Sequence, residues 1–313
     1  LTGWMISNWP IVILQGFLVS ILSFRLVAFF LPVKRYGYHF FLILVLSFTT
    51  SLSWYAAQLM PDIFTLILVL ATVLILLETA TSKGWLAFYL VVIFFSLLTH
   101  LSHIPLLLLV LAAAVGSGYL SDHIDWTLNR KGAIWLTAPI ILAFFLTCSY
   151  NAASGFGFKM GLSSNVFITA NIGEMGLLKP YLDEKCVESN LSLCSLKDSL
   201  PLETGGYLWD KSSPVQNFEG GWKAANEEYS IVVHDFMTSP KHLSWFLFGA
   251  VKATFKQMFQ IELGSGLQYT YADGSPPSWP MHSHFSFELN EYLVSVQNKD
   301  ASHLPLGFFK VLN

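Results

Sequence analysis

Long apolar runs fill the first half of the chain, and they constrain its fold more than any other feature. Residues 1–150 hold only 6 Lys/Arg and 4 Asp/Glu, whereas residues 151–313 hold 11 and 16. Charged residues make up 12% of the whole chain, about half the share of an average soluble protein. This composition excludes a soluble enzyme, a disordered chain and a basic nucleic-acid binder. It predicts a membrane-embedded half joined to a water-facing half.

Six of the apolar runs are candidates for membrane-spanning helices, which need about 17–25 mostly apolar residues. They are Trp9–Leu31, His39–Gln58, Ile63–Leu77, Trp85–Thr99, Ile104–Leu120 and Ala133–Tyr150. Each is apolar around its whole circumference, whereas a surface helix carries one apolar stripe. The alternative is a set of buried helices in one large soluble core, which the very short loops disfavour. We therefore expect an all-α polytopic membrane protein with about six transmembrane helices in residues 1–150.

The basic residues of this half fall in alternate loops. They are Lys34 and Arg35, then Lys83, then Arg130 and Lys131, whereas the intervening turns 58–62 and 100–103 carry none. By the positive-inside rule the basic loops are cytoplasmic, so residues after Tyr150 lie on the outer side. Arg25 falls inside the first span, about 24 Å from its outer end at 1.5 Å per residue. It could snorkel to the cytoplasmic headgroups or serve as a buried functional charge.

The second half divides by composition into three parts. Residues 151–240 are richer in Gly, Ser, Asn and charge, and they predict a mixed, mainly helical outer domain with helices at Asn165–Leu178 and Trp222–Thr238. Residues 241–262 predict a separate helix. Residues 263–313 predict an aromatic, Gly-rich outer loop, and the last residues read as the start of another apolar segment. The chain opens with neither a Met nor a signal-peptide pattern. We expect it to be part of a longer polytopic protein.

The segment Lys241–Glu262 combines apolar and basic side chains in one helical pattern. Lys252 and Lys256 lie four positions apart on one side. The apolar residues are Trp245, Phe246, Phe248, Val251, Phe255, Met258 and Phe259. An amphipathic helix of this kind tends to lie in the membrane interface. A core helix of the outer domain is the alternative.

Two further features of the outer loop could bind a ligand. Tyr269 and Trp279 belong to a Gly-, Ser- and Pro-rich stretch that could bind a sugar or a lipid headgroup, or pack as an ordinary surface loop. His282 and His284 are two positions apart, which suits a metal only when further ligands are present. These two histidines therefore give a weak metal signal.

The three cysteines fit an outer domain in an oxidising compartment. Cys148 lies near the outer end of a span and is expected to be a small buried residue. Cys186 and Cys194 are eight positions apart in a polar segment with no CxxC motif. If this half is periplasmic or extracellular, the compartment permits a Cys186–Cys194 disulfide. Two unrelated thiols are the alternative.

Polar residues gather at the outer ends of the spans, where chemistry could occur. Gln15 lies inside the first span, Asp62 follows Pro61 at the start of the third, and His100 and His103 occupy the turn between the fourth and fifth. Ionisable residues that border spans are functional candidates by default. Carboxylate and imidazole groups close together could form an acid–base pair, or hold a metal or a phosphate. The alternative is structural, because an acid at a helix start is favoured by the helix dipole.

Established enzyme signatures do not explain these residues. The sequence contains no GxSxG, HExxH, Walker loop or GxGxxG motif that precedes a helix. A transporter more often shows Gly or Pro breaks near the midplane or repeated halves, whereas the prolines here fall at predicted helix ends. A transporter is therefore disfavoured.

Several motifs nevertheless resemble known membrane proteins. Short-looped spans, the acid of Met60-Pro61-Asp62, outer-face histidines and an outer domain with an interfacial helix resemble bacterial GT-C-type glycosyltransferases. A second resemblance, over most of the chain, is to a group of uncharacterised proteobacterial inner-membrane proteins. It is carried by Gly3-Trp4, Trp9-Pro10, Gln15, Gln58–Phe64, His100–Pro105, the Cys186/Cys194 pair and Tyr207–Asp210. This group implies a multi-pass inner-membrane fold with a periplasmic domain, and no activity.

The GT-C resemblance implies transfer of a sugar from a polyprenyl-phosphate donor to an acceptor at the periplasmic face. Asp62 would be the general base or would bind a divalent cation, His100 and His103 would contact the donor phosphate, and Gln15 would give polar support. Trp279 and Tyr269 would bind substrate. The usual catalytic acid of that family lies in the first outer loop, which here would precede Leu1, and Asp62 matches a secondary helix-start acid better.

The alternative function is a non-catalytic scaffold subunit of a larger membrane complex. Such a subunit would use its apolar spans and its aromatic outer domain as contact surfaces. In either case the expected partners are membrane lipids and other membrane subunits, and no nucleic acid is expected.

Overall fold

A computed structural model of the protein describes residues 7–31, 36–59, 61–78, 81–120, 129–201, 203–210, 212–258 and 279–295. Within these ranges the chain is helical and contains no strand, which confirms the expected all-α class. It divides into two compact units, the first from Leu1–Met160 with Ile261–Asn313 and the second from Gly161–Gln260. The first unit extends past residue 150, the predicted end of the membrane domain, because the helix that begins at Thr137 continues to Ala153.

The first unit is a bundle of mostly apolar helices. These are α1 (Trp9–Phe30), α2 (Tyr36–Thr49), α3 (Leu52–Ala57), α4 (Ile63–Leu77), α5 (Lys83–Thr99), α6 (His103–Leu120), α7 (Arg130–Trp135), α8 (Thr137–Ala153), α14 (Trp279–His284) and α15 (Ser286–Val294). Helix α4 lies at the centre, because it packs against α1, α5, α6 and α7. Its side chains are buried on several sides, including Ile67, Leu74 and Ile75. In contrast, α2 has no buried side chain.

Two helical segments are long and apolar enough to cross a membrane, Trp9–Phe30 and Lys131–Ala153, the latter running through α7 and α8. Shorter apolar helices cover Tyr36–Thr49, Ile63–Leu77, Lys83–Thr99 and His103–Gly116. The expected coarse class, a chain with membrane-crossing helices, is thus supported, whereas the number of six spans is not confirmed.

The expected span His39–Gln58 differs from the structure, which has two helices separated at Thr50 and Ser51. The Thr50 hydroxyl donates to the Leu46 carbonyl and accepts the Leu52 amide N–H at 3.2 Å. A hydroxyl side chain that bonds nearby backbone groups competes with the helical hydrogen-bond ladder. The consecutive hydroxyl residues Thr49, Thr50 and Ser51 were the available signal of this break. Hydropathy does not register it, because a hydropathy average ignores local side-chain-to-backbone bonds.

Arg25 lies in a polar network rather than alone in an apolar span. Its guanidinium bonds both Glu78 carboxylate oxygens at 2.8 and 2.9 Å and donates to the Tyr89 hydroxyl at 3.0 Å. The same group lies 4.5 Å from the centre of the Trp85 ring. A charge in apolar surroundings is costly unless it is paired and hydrogen-bonded. The pairing of Arg25 with Glu78, at the C-terminal end of α4, meets this requirement.

The second unit is a small helical domain. Its helices are α9 (Ser164–Glu174), α10 (Leu178–Lys185), a 3₁₀ turn (Ser192–Leu196), α11 (Thr204–Trp209), α12 (Gly221–Thr238) and α13 (Pro240–Met258). Both short helices expected in this region are present, as α9 and α12. The buried side chains of Tyr181, Tyr207, Tyr229 and Phe236 form much of the core.

The cysteines behave as expected. Cys186 and Cys194 form a disulfide with a Cα–Cα distance of 5.6 Å, and both side chains pack at the edge of the core of the second unit. Cys148 is free and buried in the first unit. The bridge links the end of α10 to the 3₁₀ turn, so it closes a short loop over this core.

Helix α13 covers the region expected for the amphipathic helix, beginning at Pro240; residues 259–262 lie outside the described residues. One side of α13 packs closely on the rest of the second unit. The contact at Gly249 is so close that an added Cβ would lie 3.0 Å from the Leu177 side chain. The other side leaves large apolar side chains in the open, at Leu247, Phe248, Val251 and Phe255. This exposure differs from that of a fully packed core helix.

Candidate functional site

The four polar residues expected at the outer ends of the spans belong to helix ends of the first unit, except for Gln15, which lies inside α1. Asp62 directly precedes α4, His100 directly follows α5, and His103 begins α6. Helices α4, α5 and α6 pack together, and the short turn His100–His103 links the end of α5 to the start of α6. The bundle therefore brings Asp62, His100 and His103 to the same end.

His103 is almost fully buried and uses both ring nitrogens within the bundle. Its Nδ1 lies 2.6 Å from the Ser96 carbonyl oxygen, and its Nε2 lies 2.9 Å from the Thr65 hydroxyl. A carbonyl can only accept, so Nδ1 carries the proton and Nε2 accepts from Thr65. This neutral ring connects α4, α5 and α6 at one point. In this arrangement no ring nitrogen is left for a ligand.

His100 lies beside His103 and is exposed, with the two ring centres 5.5 Å apart. Its Nδ1 accepts the Ser102 amide N–H at 3.2 Å and lies 2.6 Å from the Ser102 hydroxyl. Because the amide can only donate, Nδ1 is unprotonated and the proton of the neutral ring resides on Nε2. The Ser102 contacts thus fix both the tautomer and the ring orientation. They leave an N–H donor at the exposed end of the ring.

Asp62 is exposed, and its carboxylate does not cap α4. Its charge interacts electrostatically with Tyr55 and with His103. An acid in this position was expected either to stabilise the helix start or to act in a site. Since no capping hydrogen bond holds the carboxylate, it is available to accept a proton or a hydrogen bond.

Gln15 lies in α1 and connects to the same end of the bundle through Gln58. Its side-chain Nε2 donates to the Gln58 carbonyl oxygen at 3.1 Å, which fixes the amide orientation because a carbonyl only accepts. Gln15 is 1% exposed, yet its Oε1 has no partner among the described residues. Both polar atoms of the Gln58 side chain are likewise buried and unpartnered there. Buried amides without partners are uncommon and call for an explanation.

Gln58, Thr65 and Ser102 were not identified as site residues from the sequence. Gln58 stands in the motif Gln-Leu-Met-Pro-Asp, where an amide close to Asp62 was the available signal. Thr65 and Ser102 act through hydrogen bonds to the histidines, and a bond between α4 and α6 has no local sequence signature. Their roles become visible only once the helices are packed.

The remaining expected site residues lie elsewhere or outside the described residues. Trp279 begins α14 and is exposed. That segment is attached near the start of α1, because Glu288 accepts the Asn8 amide N–H at 3.2 Å and the Asn8 side-chain amide at 2.9 Å. Tyr269 lies outside the described residues. Whether either binds a substrate stays a prediction.

A divalent cation is the one cofactor that the GT-C resemblance implies. In the described ranges no group of three or more His, Cys, Asp or Glu side chains is placed to hold a metal. His282 and His284 lie on α14 without such a group, and both nitrogens of His103 are already bonded. Whether Asp62 binds a cation together with a substrate stays a prediction.

Comparison with protein-family models, with curated proteins and with solved structures finds no match for this chain.

Proposed function

We propose that the chain is a glycosyltransferase that takes a polyprenyl-phosphate-linked sugar at the periplasmic face of a bacterial inner membrane. The observation that carries the proposal is that an uncapped, exposed carboxylate, Asp62, and an exposed imidazole, His100, whose tautomer is fixed, belong to the same packed set of helix ends. Both groups lie at one end of an apolar helix bundle. A lipid-linked phosphosugar has its apolar chain in the bilayer and its reactive bond at the surface, which matches this placement.

In the proposed reaction Asp62 is the general base. The acceptor hydroxyl loses its proton to the Asp62 carboxylate while its oxygen attacks the anomeric carbon of the sugar. The bond between that carbon and the phosphate oxygen breaks, and its electron pair leaves with the polyprenyl phosphate. Positioned general-base catalysis contributes about 10²–10⁴-fold to such a rate.

His100 supports the leaving group in this proposal. Its Nε2–H can donate to a phosphate oxygen, and a charge-assisted bond of this type is about twice as strong as a neutral one. His103 acts as a positioning residue, since it packs against the His100 ring and links three helices. Gln15 and Gln58 supply buried amide groups that could bond hydroxyl groups of a sugar.

A multi-pass arrangement is part of the proposal. Helices α4 and α5 contain 15 and 17 residues, about 23 and 26 Å at 1.5 Å per residue. These lengths fall a few ångströms short of a hydrocarbon core of about 30 Å, a mismatch that local bilayer thinning accommodates. Helix α13 would lie in the membrane interface.

A scaffold subunit is the second candidate, and one observation favours it. Helix α2 buries none of its side chains and exposes Tyr36, Phe40, Phe41 and Phe48. A helix that leaves several large apolar side chains exposed offers a contact surface to another membrane subunit. Stoichiometric co-purification of such a subunit, together with full function of Asp62 variants, would favour this candidate.

The test is sugar transfer by the full chain reconstituted in nanodiscs. The probes are undecaprenyl-phosphate-linked hexoses, and the release of undecaprenyl phosphate is followed by mass spectrometry. We expect Asp62→Asn to lower the rate about 10²-fold or more, whereas the matched control Asp198→Asn, at an exposed acid of the second unit, keeps wild-type activity. Equal rates for Asp62→Asn and wild type would refute the proposed base.

A further inference from the structure

Three aromatic side chains of the second unit form a surface that we call the aromatic platform: Phe167 of α9, Trp209 of α11 and Trp222 of α12. The Trp209 and Trp222 ring centres lie 5.4 Å apart, and Phe167 lies 6.4 and 5.9 Å from them. Phe167 is 41% and Trp209 46% exposed. Adjacent large aromatic surfaces left in water are typical of binding sites rather than of a folding core.

The platform is held in place by buried neighbours and by hydrogen bonds. Each ring-bearing helix buries other residues in the core, among them Val166, Leu208 and Ala225. The start of α9 is fixed to α12 because the Asn165 amide and side chain both donate to Asn226 at 3.0 Å. A surface that is ordered before binding loses less conformational entropy when a ligand binds.

The end of α11, which carries Trp209, is fixed in a similar way. The Ser213 hydroxyl donates to the Tyr207 carbonyl at 2.7 Å, and the Gln216 amide donates to the Leu208 carbonyl at 2.9 Å. These bonds satisfy carbonyl groups at the helix end that would otherwise lack partners. The Trp209 ring is thereby carried on a defined backbone.

The three rings pack against one another at an angle and form no cage. The Trp209 and Trp222 planes are inclined by 33°, and the Phe167 plane is inclined to them by 62° and 48°. Ring centres 5.4–6.4 Å apart are at the separation of aromatic rings in direct contact, so no space remains between them for a cation. A ligand would therefore lie across the outer ring faces. Those faces carry partial negative charge, which suits the C–H groups of a ligand placed flat on them.

The surroundings of the platform are polar and carry charges of both signs. In the chain Asp210 follows Trp209, Lys223 follows Trp222 and Glu219 lies three positions before Trp222, and all three charged residues are exposed. Exposed carboxylates beside an apolar ring surface suit a neutral ligand with one apolar face and hydroxyl groups at its rim.

We propose that the aromatic platform of Phe167, Trp209 and Trp222 binds a neutral carbohydrate chain. A pyranose ring presents C–H groups on its faces and hydroxyl groups at its edge, so its faces stack on the aromatic rings while the edge bonds nearby carboxylates and amides. This inference concerns the second unit only and goes beyond the proposed transfer reaction. An Asp62→Asn chain is expected to bind saccharide as wild type does.

The test measures binding of cellotetraose, chitotetraose and maltotetraose to the full chain in nanodiscs by isothermal titration. We expect at least one saccharide to bind, and Trp209→Ala with Trp222→Ala to weaken its binding about tenfold or more, as for loss of an aromatic hot spot. The doubly substituted Trp209→Phe, Trp222→Phe chain retains ring surface and should keep most of the affinity. Phe248→Ala, at an exposed aromatic of the same unit, is the matched control and should bind normally.

Four results would overturn the proposal. One is that none of the saccharides binds, and another is that the Phe variants lose as much affinity as the Ala variants. The third is displacement of the saccharide by tetramethylammonium, which would indicate a cation site. The fourth is that brominated lipids in the nanodisc quench less tryptophan fluorescence in the Trp209→Phe, Trp222→Phe chain than in the wild type, which would place the platform in the membrane.

Discussion

Asp235 couples its own charge to the stability of the second unit. The Tyr181 hydroxyl donates to its carboxylate at 2.9 Å, and Lys185 forms a salt bridge with it at 2.8 Å. Burial by itself would raise the pKa of Asp235, but the Lys185 and Tyr181 contacts outweigh it, so the net pKa lies below its usual range. The same contact and burial raise the pKa of Tyr181 well above that of a free tyrosine.

The lowered pKa gives a signed pH dependence. A carboxyl whose pKa is depressed by folding adds stability above its unfolded pKa of about 4, and this stability is lost as pH falls through the lower folded pKa. We expect Asp235→Asn to reduce the protection of α10 and α12 amides at pH 7 by about 1–3 kcal/mol. We also expect the variant to lose less protection than the wild type when the pH is lowered, because it has no carboxylate to protonate at this position. Hydrogen exchange of the full chain measures both.

The matched control for this prediction is Asp183→Asn. Asp183 lies in α10 and pairs with Lys197 at 2.9 Å, but it is about half exposed, so its pair is worth little. If Asp235→Asn and Asp183→Asn change exchange equally, the coupling assigned to the Asp235 contacts is wrong.

At the scale of elements, α13 shows how a helix can belong to a domain and still present an apolar surface. Its Lys241 pairs with Glu184 of α10 at 2.6 Å, and the Lys241 bond lowers the pKa of Glu184. Phe248, with 73% exposure, and Phe255, with 60%, lie on the side away from that domain core. Lys252 and Lys256 stand on the same helix, as in helices that bind anionic membrane surfaces.

The proposed interfacial position of α13 predicts selective protection by lipid. In nanodiscs containing anionic lipid, a Phe248→Cys chain should react with a membrane-impermeant maleimide several-fold more slowly than a Glu227→Cys chain, whose residue is exposed on α12. In the proposed position the apolar face would be buried about 5–10 Å into the interface, out of reach of the reagent. Native Cys148 is buried and Cys186–Cys194 is bridged, so they add little background. Equal labelling rates would contradict the interfacial position.

At the scale of the whole molecule, sequence patterns predicted what depends on local residues. The apolar run Ile63–Leu77 predicted the bounds of α4. The position of Cys186 and Cys194, eight residues apart in a polar segment, predicted the disulfide. The pairing of Arg25 with Glu78 was not predictable in this way, because it depends on a contact between helices that are distant in sequence. The break at Thr50 depends on local hydrogen bonds to residues 46 and 52, which a hydropathy average does not register.

The candidate site was predictable in the same limited sense. Asp62, His100 and His103 stood out because polar groups are rare beside apolar runs, and the bundle does bring them to one end. The different hydrogen bonding of the two histidines was not predictable, because it depends on Thr65, Ser96 and Ser102. Both ring nitrogens of His103 have partners within the bundle, which suits the positioning role proposed for it. Only Nδ1 of His100 has such partners, which leaves Nε2 for the proposed contact with a ligand.

The central claim is that the end of the bundle formed by Asp62 and His100 binds the phosphate of a lipid-linked sugar. The most direct measurement is the structure of the full chain in nanodiscs determined by cryo-electron microscopy in the presence of undecaprenyl phosphate. The account predicts phosphate density within about 2.7–3.2 Å of His100 Nε2, with the polyprenyl chain along the apolar helices, and loss of this density in a His100→Ala chain. Phosphate density at another place in the chain, with the His100 ring unoccupied, would contradict it.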